Sequence, residues 1–116
     1  MKAGLPQGMG KGPNNNMNSM LKQAQKMQDE ITALQADLEE REFSASVGGG
    51  AVDVTINGKR QVLKLNIKPE VVDPEDVEML QDLIMSAFNE AVRILDETSD
   101  AEMSKLTGGV SFPGLF

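Results

Sequence analysis

Hydrophobic and polar positions follow three rhythms along the chain. From Met17 to Glu40 the apolar residues Met17, Met20, Ala24, Met27, Ile31, Leu34 and Leu38 recur at alternating gaps of three and four. That spacing predicts an amphipathic helix whose seam meets another helix. Asn16 or Asn18 can cap its start. At ~1.5 Å per residue the helix is ~36 Å long, more than a small domain is wide, so part of it must overhang or pair with another helix. Asp37, Glu39 and Glu40 near its end oppose the helix dipole, a placement suited to solubility or to pairing with Arg41.

Residues 42–67 change to a period of two. Phe43, Ala45 and Val47 alternate with Glu42, Ser44 and Ser46; Val52, Val54 and Ile56 with Asp53 and Thr55; Leu63, Leu65 and Ile67 with Lys64 and Asn66. Three short strands are expected. Asn57-Gly58 predicts a two-residue hairpin turn, with Ile56 opposite Lys59 and Val52 opposite Leu63. The Gly48-Gly49-Gly50 run joins the first two strands. A two-residue turn there, or a bulged equivalent, sets Ala45 opposite Val52 and keeps all apolar sets on one face. The triple glycine lacks a Gly-Lys-Ser/Thr ending and opens no helix, so it reads as a turn rather than a phosphate loop. Lys59, Arg60 and Lys64 form a modest basic cluster that cross-strand pairing with Asp53 and Thr55 accounts for. The product is an antiparallel meander whose apolar face helices must cover.

The third rhythm is helical again. Asp73 caps, Pro74 fits the first helical position, and Glu75 and Asp76 suit the positive end of the dipole. These carboxylates match no calcium-loop spacing. The helix is expected to run to about Thr98. Leu80, Leu83, Ile84, Ala87, Phe88, Ala91, Val92, Ile94 and Leu95 make a stripe too wide for one sheet face. The surplus should meet a second subunit, at Leu80, Ile84, Ala87, Phe88 and Ala91, with the two alanines small enough for a close helix approach. Ser99 with Glu102 predicts a capping box, hence a bend or a new short helical segment, closing at Thr107 before Gly108-Gly109. Val110 to Phe116 is an apolar tail in which Phe112 and Phe116 suggest docking in a dimer.

The expected fold class is therefore α+β: a long N-terminal helix, a three-stranded antiparallel meander, a long second helix and a short C-terminal helical segment. The expected assembly is an intertwined homodimer with projecting helical arms. Residues 1–16 read as a flexible basic arm, 17–107 as one α+β dimerising domain, and 108–116 as a C-terminal tail.

Composition sharpens this picture. The 116 residues include eight Met but no Trp or Tyr, and aromatics are 3%. Such a core is small, and further apolar surface belongs in a partner subunit. Cys and His are both absent, which removes disulfides, thiolate metal sites and the usual general base. Only Asp/Glu, Lys or Ser chemistry remains, and none is spaced for catalysis. No enzyme activity, cofactor, metal or small-molecule substrate is expected. No apolar run approaches the ~20 residues of a membrane helix, and the Gly-rich start lacks a signal core, so a cytoplasmic protein is the default.

Net charge is −7, but it is segregated. Up to Gln28 the chain carries four basic residues, Lys2, Lys11, Lys22 and Lys26, and no acidic one; all 18 acidic residues and the other seven basic ones come after it. The first helix thus has a positive, Gln-rich end and a negative end towards the sheet. Such an end suits a polyanion. Met17, Met20 and Met27 read as seam packing rather than as a ligand pocket.

Several phrases occur in a telling order: Leu21-Lys22-Gln23-Ala24-Gln25-Lys26-Met27-Gln28, Thr55-Ile56-Asn57-Gly58-Lys59, the run from Pro69 to Ile84, Ala87-Phe88-Asn89-Glu90-Ala91, and Leu106-Thr107-Gly108-Gly109. With them the chain resembles the YbaB/EbfC family of small bacterial nucleoid-associated proteins over essentially its whole length. The resemblance implies a tweezer-like homodimer with projecting first helices, a cytoplasmic or nucleoid location, and weakly selective DNA binding. It implies DNA contact at Lys22, Gln23, Gln25 and Lys26, and it reaches towards Lys105, where Asp100 and Glu102 oppose phosphate. Lys11 joins the expected DNA-binding set from the basic arm.

The leading expectation is a dimeric duplex-DNA-binding protein of the nucleoid that uses basic arm tips on the phosphate backbone with low sequence selectivity. The alternative is an interaction module whose Met-lined arms clamp a partner helix without direct DNA binding. The scarcity of aromatics argues against single-strand binding, which needs base stacking.

Overall fold

The computed structural model describes the backbone of residues 4–108 and the side chains of residues 17–108. Readings that fall on Lys2, on the Lys11 side chain and on the tail from 109 to 116 lie outside the described residues. The order is α1 (Gly4–Glu40), β1 (Glu42–Val47), β2 (Val52–Asn57), β3 (Val62–Ile67), a 3-10 turn (Pro69–Val71) and α2 (Val77–Thr107). The α+β class is as the sequence predicts.

Helical backbone in α1 extends upstream of both expected caps, Asn16 and Asn18, as far as Gly4. Pro6 fits a first turn, where its missing N–H is not needed. Pro13 and the interior glycines Gly8, Gly10 and Gly12 disfavour helix. The segment before Asn16 is thus the part of α1 least supported by its own sequence.

The strands form one antiparallel sheet in the order β1-β2-β3. Both hairpin registers differ from the expected ones. Ala45 pairs with Val54 rather than Val52, because the first turn spans Gly48 to Ala51. It is closed by Gly50 N–H to Val47 O and Ala51 N–H to Gly48 O. All three glycines there have positive φ, at 63°, 67° and 92°. Val52 pairs with Ile67 rather than Leu63, and Ile56 with Val62 rather than Lys59. In this second turn Arg60, not Gly58, adopts the left-handed conformation, at φ 64°, and Arg60 N–H closes on Asn57 O. A bulge between Thr55 and Ile56 on the β2 side absorbs one residue of β3. The shifts before the bulge are even, so Leu65 and Ile67 keep the face shared with Val52 and Val54, but past it Val62 takes the place opposite Ile56 and Leu63, expected on that face, is the unpaired residue.

α2 lies across that face over β1 and β2. The core comprises Leu38, Phe43, Ala45, Val52, Val54, Ile56, Ala87, Ala91 and Leu95. Two expectations for α2 are corrected. It begins at Val77 with Asp76 as N-cap, whose side chain accepts from Met79 N–H. Asp73 instead caps the preceding turn, accepting from Glu75 N–H at 2.9 Å. The helix also runs unbroken to Thr107, so no separate C-terminal segment begins at Ser99. Leu95, Met103 and Thr107 are buried on one side of it, and this continuous seam outweighs the local cap signal of Ser99 and Glu102.

Among the described residues β3 is covered only at its end, where Ile67 packs against the core. Val62, Leu65 and Ile67 pair with buried β2 residues and so share the inner face, yet Val62 is 51% and Leu65 43% exposed. The molecule measures 92 × 19 × 17 Å, its length set by α1.

Candidate nucleic-acid interface

The seam of α1 divides in two. Ile31 and Leu38 are buried and Leu34 and Met27 half-buried, whereas every residue from Met17 to Lys26 is exposed. α2 runs antiparallel beside the buried half: Gln35 and Leu38 flank a cleft of about 350 Å³ with Leu95, Asp96 and Ser99, and Glu30 and Leu34 flank another with Glu102, Lys105 and Leu106. α2 ends near Met27, and from Met17 to Lys26 α1 has no packing partner among the described residues.

The sheet-proximal end of α1 is fixed by polar contacts, most of which join distant parts of the sequence. Arg41 donates to Asp37 at 2.9 Å and to Glu102 at 3.3 Å. The Asp37 hydrogen bond is the leading cause of a raised Arg41 pKa, which keeps the guanidinium charged. Pairing of Asp37 with Arg41 agrees with the sequence reading; the bridge to Glu102 had no local signal, because it spans two helices. Arg60 donates to Asp96 at 2.6 Å, tying the second hairpin to α2. Gly58 N–H donates to Glu39 O at 3.2 Å.

On the stretch of α1 from Met17 to Lys26, Lys22 and Lys26 sit one turn apart and are exposed, as are Gln23 and Gln25. At ~100° per residue the apolar stripe fills an arc of ~100° about Met20, while Lys22 and Lys26 lie ~200° and ~240° round the axis. The cationic face and the apolar face therefore point apart. Asp29 and Glu30 come within a turn of Lys26, but neither lysine is held in an ion pair with a described residue. Elsewhere Lys105 lies 3.7 Å from Glu102 and Arg93 bridges Glu90 and Glu97, while Lys59, Lys64 and Lys68 on the sheet side are likewise in no ion pair with a described residue.

A family model for the YbaB/EbfC DNA-binding family matches residues 13–110. The chain belongs to the YbaB/EbfC family. A nucleoid-associated protein of Alkaliphilus metalliredigens is 59% identical over 115 residues, covering 99% of this chain and 98% of the relative. Nucleoid-associated proteins of Clostridium novyi and Clostridium acetobutylicum are 56% and 55% identical, covering 99% and 98% of this chain and 98% of each relative. Among solved structures, the crystal structure of uncharacterized protein HP0035 from Helicobacter pylori superposes with a TM-score of 0.56 at 27% identity, covering 67% of this chain and 90% of that one. The YbaB/EbfC match includes Lys22 and Lys26 and all of α2, while Lys11 lies before it.

The residues expected at a subunit contact divide as well. Leu80, Ile84 and Phe88 remain partly exposed. Ala87 and Ala91 are 0% exposed inside the chain's own core, so they serve the approach of α2 to its own sheet and offer no surface to another subunit. Sequence reasoning took them for a helix–helix contact because small size marks close approach but not the partner. It did not single out Val62, Val77, Met79 or Met85, all exposed. Among the described residues no helix is long and apolar enough to cross a membrane.

Proposed function

We propose that this YbaB/EbfC member is a dimeric protein of the bacterial nucleoid that grips duplex DNA through the phosphate backbone, using the basic faces of paired α1 arms. The observation that carries the reading is the uncommitted Lys22–Lys26 face on a helix that outruns its packing partner. An arm clear of the acidic body lets a locally positive surface meet phosphate despite the net charge of −7. Gln23 and Gln25 flank the lysines and supply neutral hydrogen bonds to phosphate or sugar. The three arginines of the chain, Arg41, Arg60 and Arg93, all lie off the arm, so bidentate guanine readout is missing there and selectivity is low.

Dimerisation is supported by apolar side chains left exposed on the inner face of β3 and on the first turns of α2. Val62, Leu65, Val77, Met79 and Met85 are exposed together with the partly exposed Leu80 and Ile84. Exposed apolar side chains on this scale mark an interaction site, and a second copy covers them without a foreign partner. Two arms then share one duplex.

The test is duplex gel-shift with Lys22→Glu/Lys26→Glu. Reversing both charges should weaken binding by orders of magnitude at low salt, while circular dichroism stays native. Unchanged affinity rules out the arm face and leaves the other reading, in which the exposed Met17, Met20 and Leu21 hold a partner helix and DNA contact is indirect.

A further inference from the structure

The seam between α1 and α2 stops before the apolar stripe does. Met27 is the last half-buried position on α1; beyond it Ala24, Met20 and Met17 continue the same stripe in the open, with Met20 67% and Met17 61% exposed. α2 meanwhile ends on the α1 side. Met103 and Thr107 are buried, and the Thr107 hydroxyl donates to Met103 O at 3.0 Å. Gly108 then takes the left-handed conformation, at φ 67°, with its N–H on Ser104 O. The chain therefore leaves α2 at the end of the seam, next to the bare part of the stripe.

The last eight residues, Gly109-Val110-Ser111-Phe112-Pro113-Gly114-Leu115-Phe116, include no charged side chain. We propose that Val110 to Phe116 dock in cis on the α1 stripe from Met27 to Met17, extending the α1–α2 seam along the arm. The stripe is ~15 Å long at ~1.5 Å per residue, and eight extended residues reach ~26 Å. Ala24 between Met20 and Met27 leaves a hollow for an aromatic ring, and Met sulfur favours aromatic neighbours. Lys22 and Lys26 face the other way, so the tail and a phosphate backbone occupy opposite sides of one helix. The docked tail supplies the apolar cover that a lone helix in water lacks.

The chain has no Trp and no Cys, so single reporters are unambiguous. In the full chain, Phe112→Trp should emit further to the blue, and be quenched less by iodide, than a peptide of residues 108–116 bearing the same substitution. Adding Ala24→Asp, or separately Met20→Asp, should move the emission to that of the peptide; both positions lie beyond the α2 contact, so the fold persists. Met20→Cys with Phe112→Cys should oxidise to an intrachain disulfide. Peptide-like emission from the start, indifference to both Asp substitutions, or a disulfide only between chains (which assigns the stripe to a second copy) overturns the proposal. DNA affinity is not the readout, so failure here is separable from failure of the arm mechanism.

Discussion

Gly58 is required by contact rather than by turn conformation. In the sequence it marks a two-residue hairpin turn. In the structure Arg60 takes the positive φ, and Gly58 is where the hairpin touches the end of α1. A Cβ there would sit 2.0 Å from Leu38 O and 2.7 Å from Glu39 Cα, and neither backbone atom can step aside. Gly58→Ala should therefore destabilise by at least ~2 kcal/mol, as overpacked sites do, seen as a lower urea midpoint. By contrast Gly49 has open space around its Cβ position, and Gly49→Ala meets only the cost of its positive φ, ~1–2 kcal/mol. At the surface, the Arg93 guanidinium holds the Glu90 carboxyl below its ordinary value of 4.5. A depressed carboxylate contributes stability above its unfolded pKa and loses it as pH falls through the folded one. Arg93→Gln should raise the Glu90 pKa towards 4.5 in an NMR titration and soften acid unfolding in that window.

At the level of elements, periodicity was enough for the two helices, the three strands and the shared face of the sheet. Those features depend on period and parity, which Phe43, Val54 and Leu65 display directly. The pairings were not legible, because turn length is set by contacts outside the turn: Ala51 is buried beneath the first hairpin, and the second must meet α1 and Asp96. The unbroken α2 was also hidden. Ser99 and Glu102 form a plausible local cap, but only the buried Met103 and Thr107 against α1 reveal why the helix continues. Lys22 and Lys26 could be found from charge segregation alone, whereas the Arg41–Glu102 tie needed the fold. The antiparallel α1–α2 pair is open to test. Ile31 is 4% exposed, so Ile31→Ala should cost ~2–5 kcal/mol in urea unfolding. A loss under ~0.5 kcal/mol, the range of exposed substitutions, would mean that α1 does not pack there.

Among the described residues the molecule combines an acidic body, an exposed Lys22–Lys26 face on α1 and exposed apolar side chains on β3. The core of a single chain lies mainly over β1 and β2, and the proposed dimer would seat a second copy against β3. Leu65→Glu should yield a folded monomer by sedimentation at concentrations where the parent chain is dimeric; a dimer that survives it would place the contact elsewhere. If two arms share one duplex, as proposed, salt dependence reports directly how many lysines meet phosphate. The decisive measurement is duplex affinity against salt for the parent chain and for Lys22→Gln/Lys26→Gln. Each neutralised phosphate contributes ~0.9 to the slope of log K on log salt, so removing both lysines from both arms should flatten it by roughly 3–4. An unchanged slope would contradict phosphate contact by this face of α1.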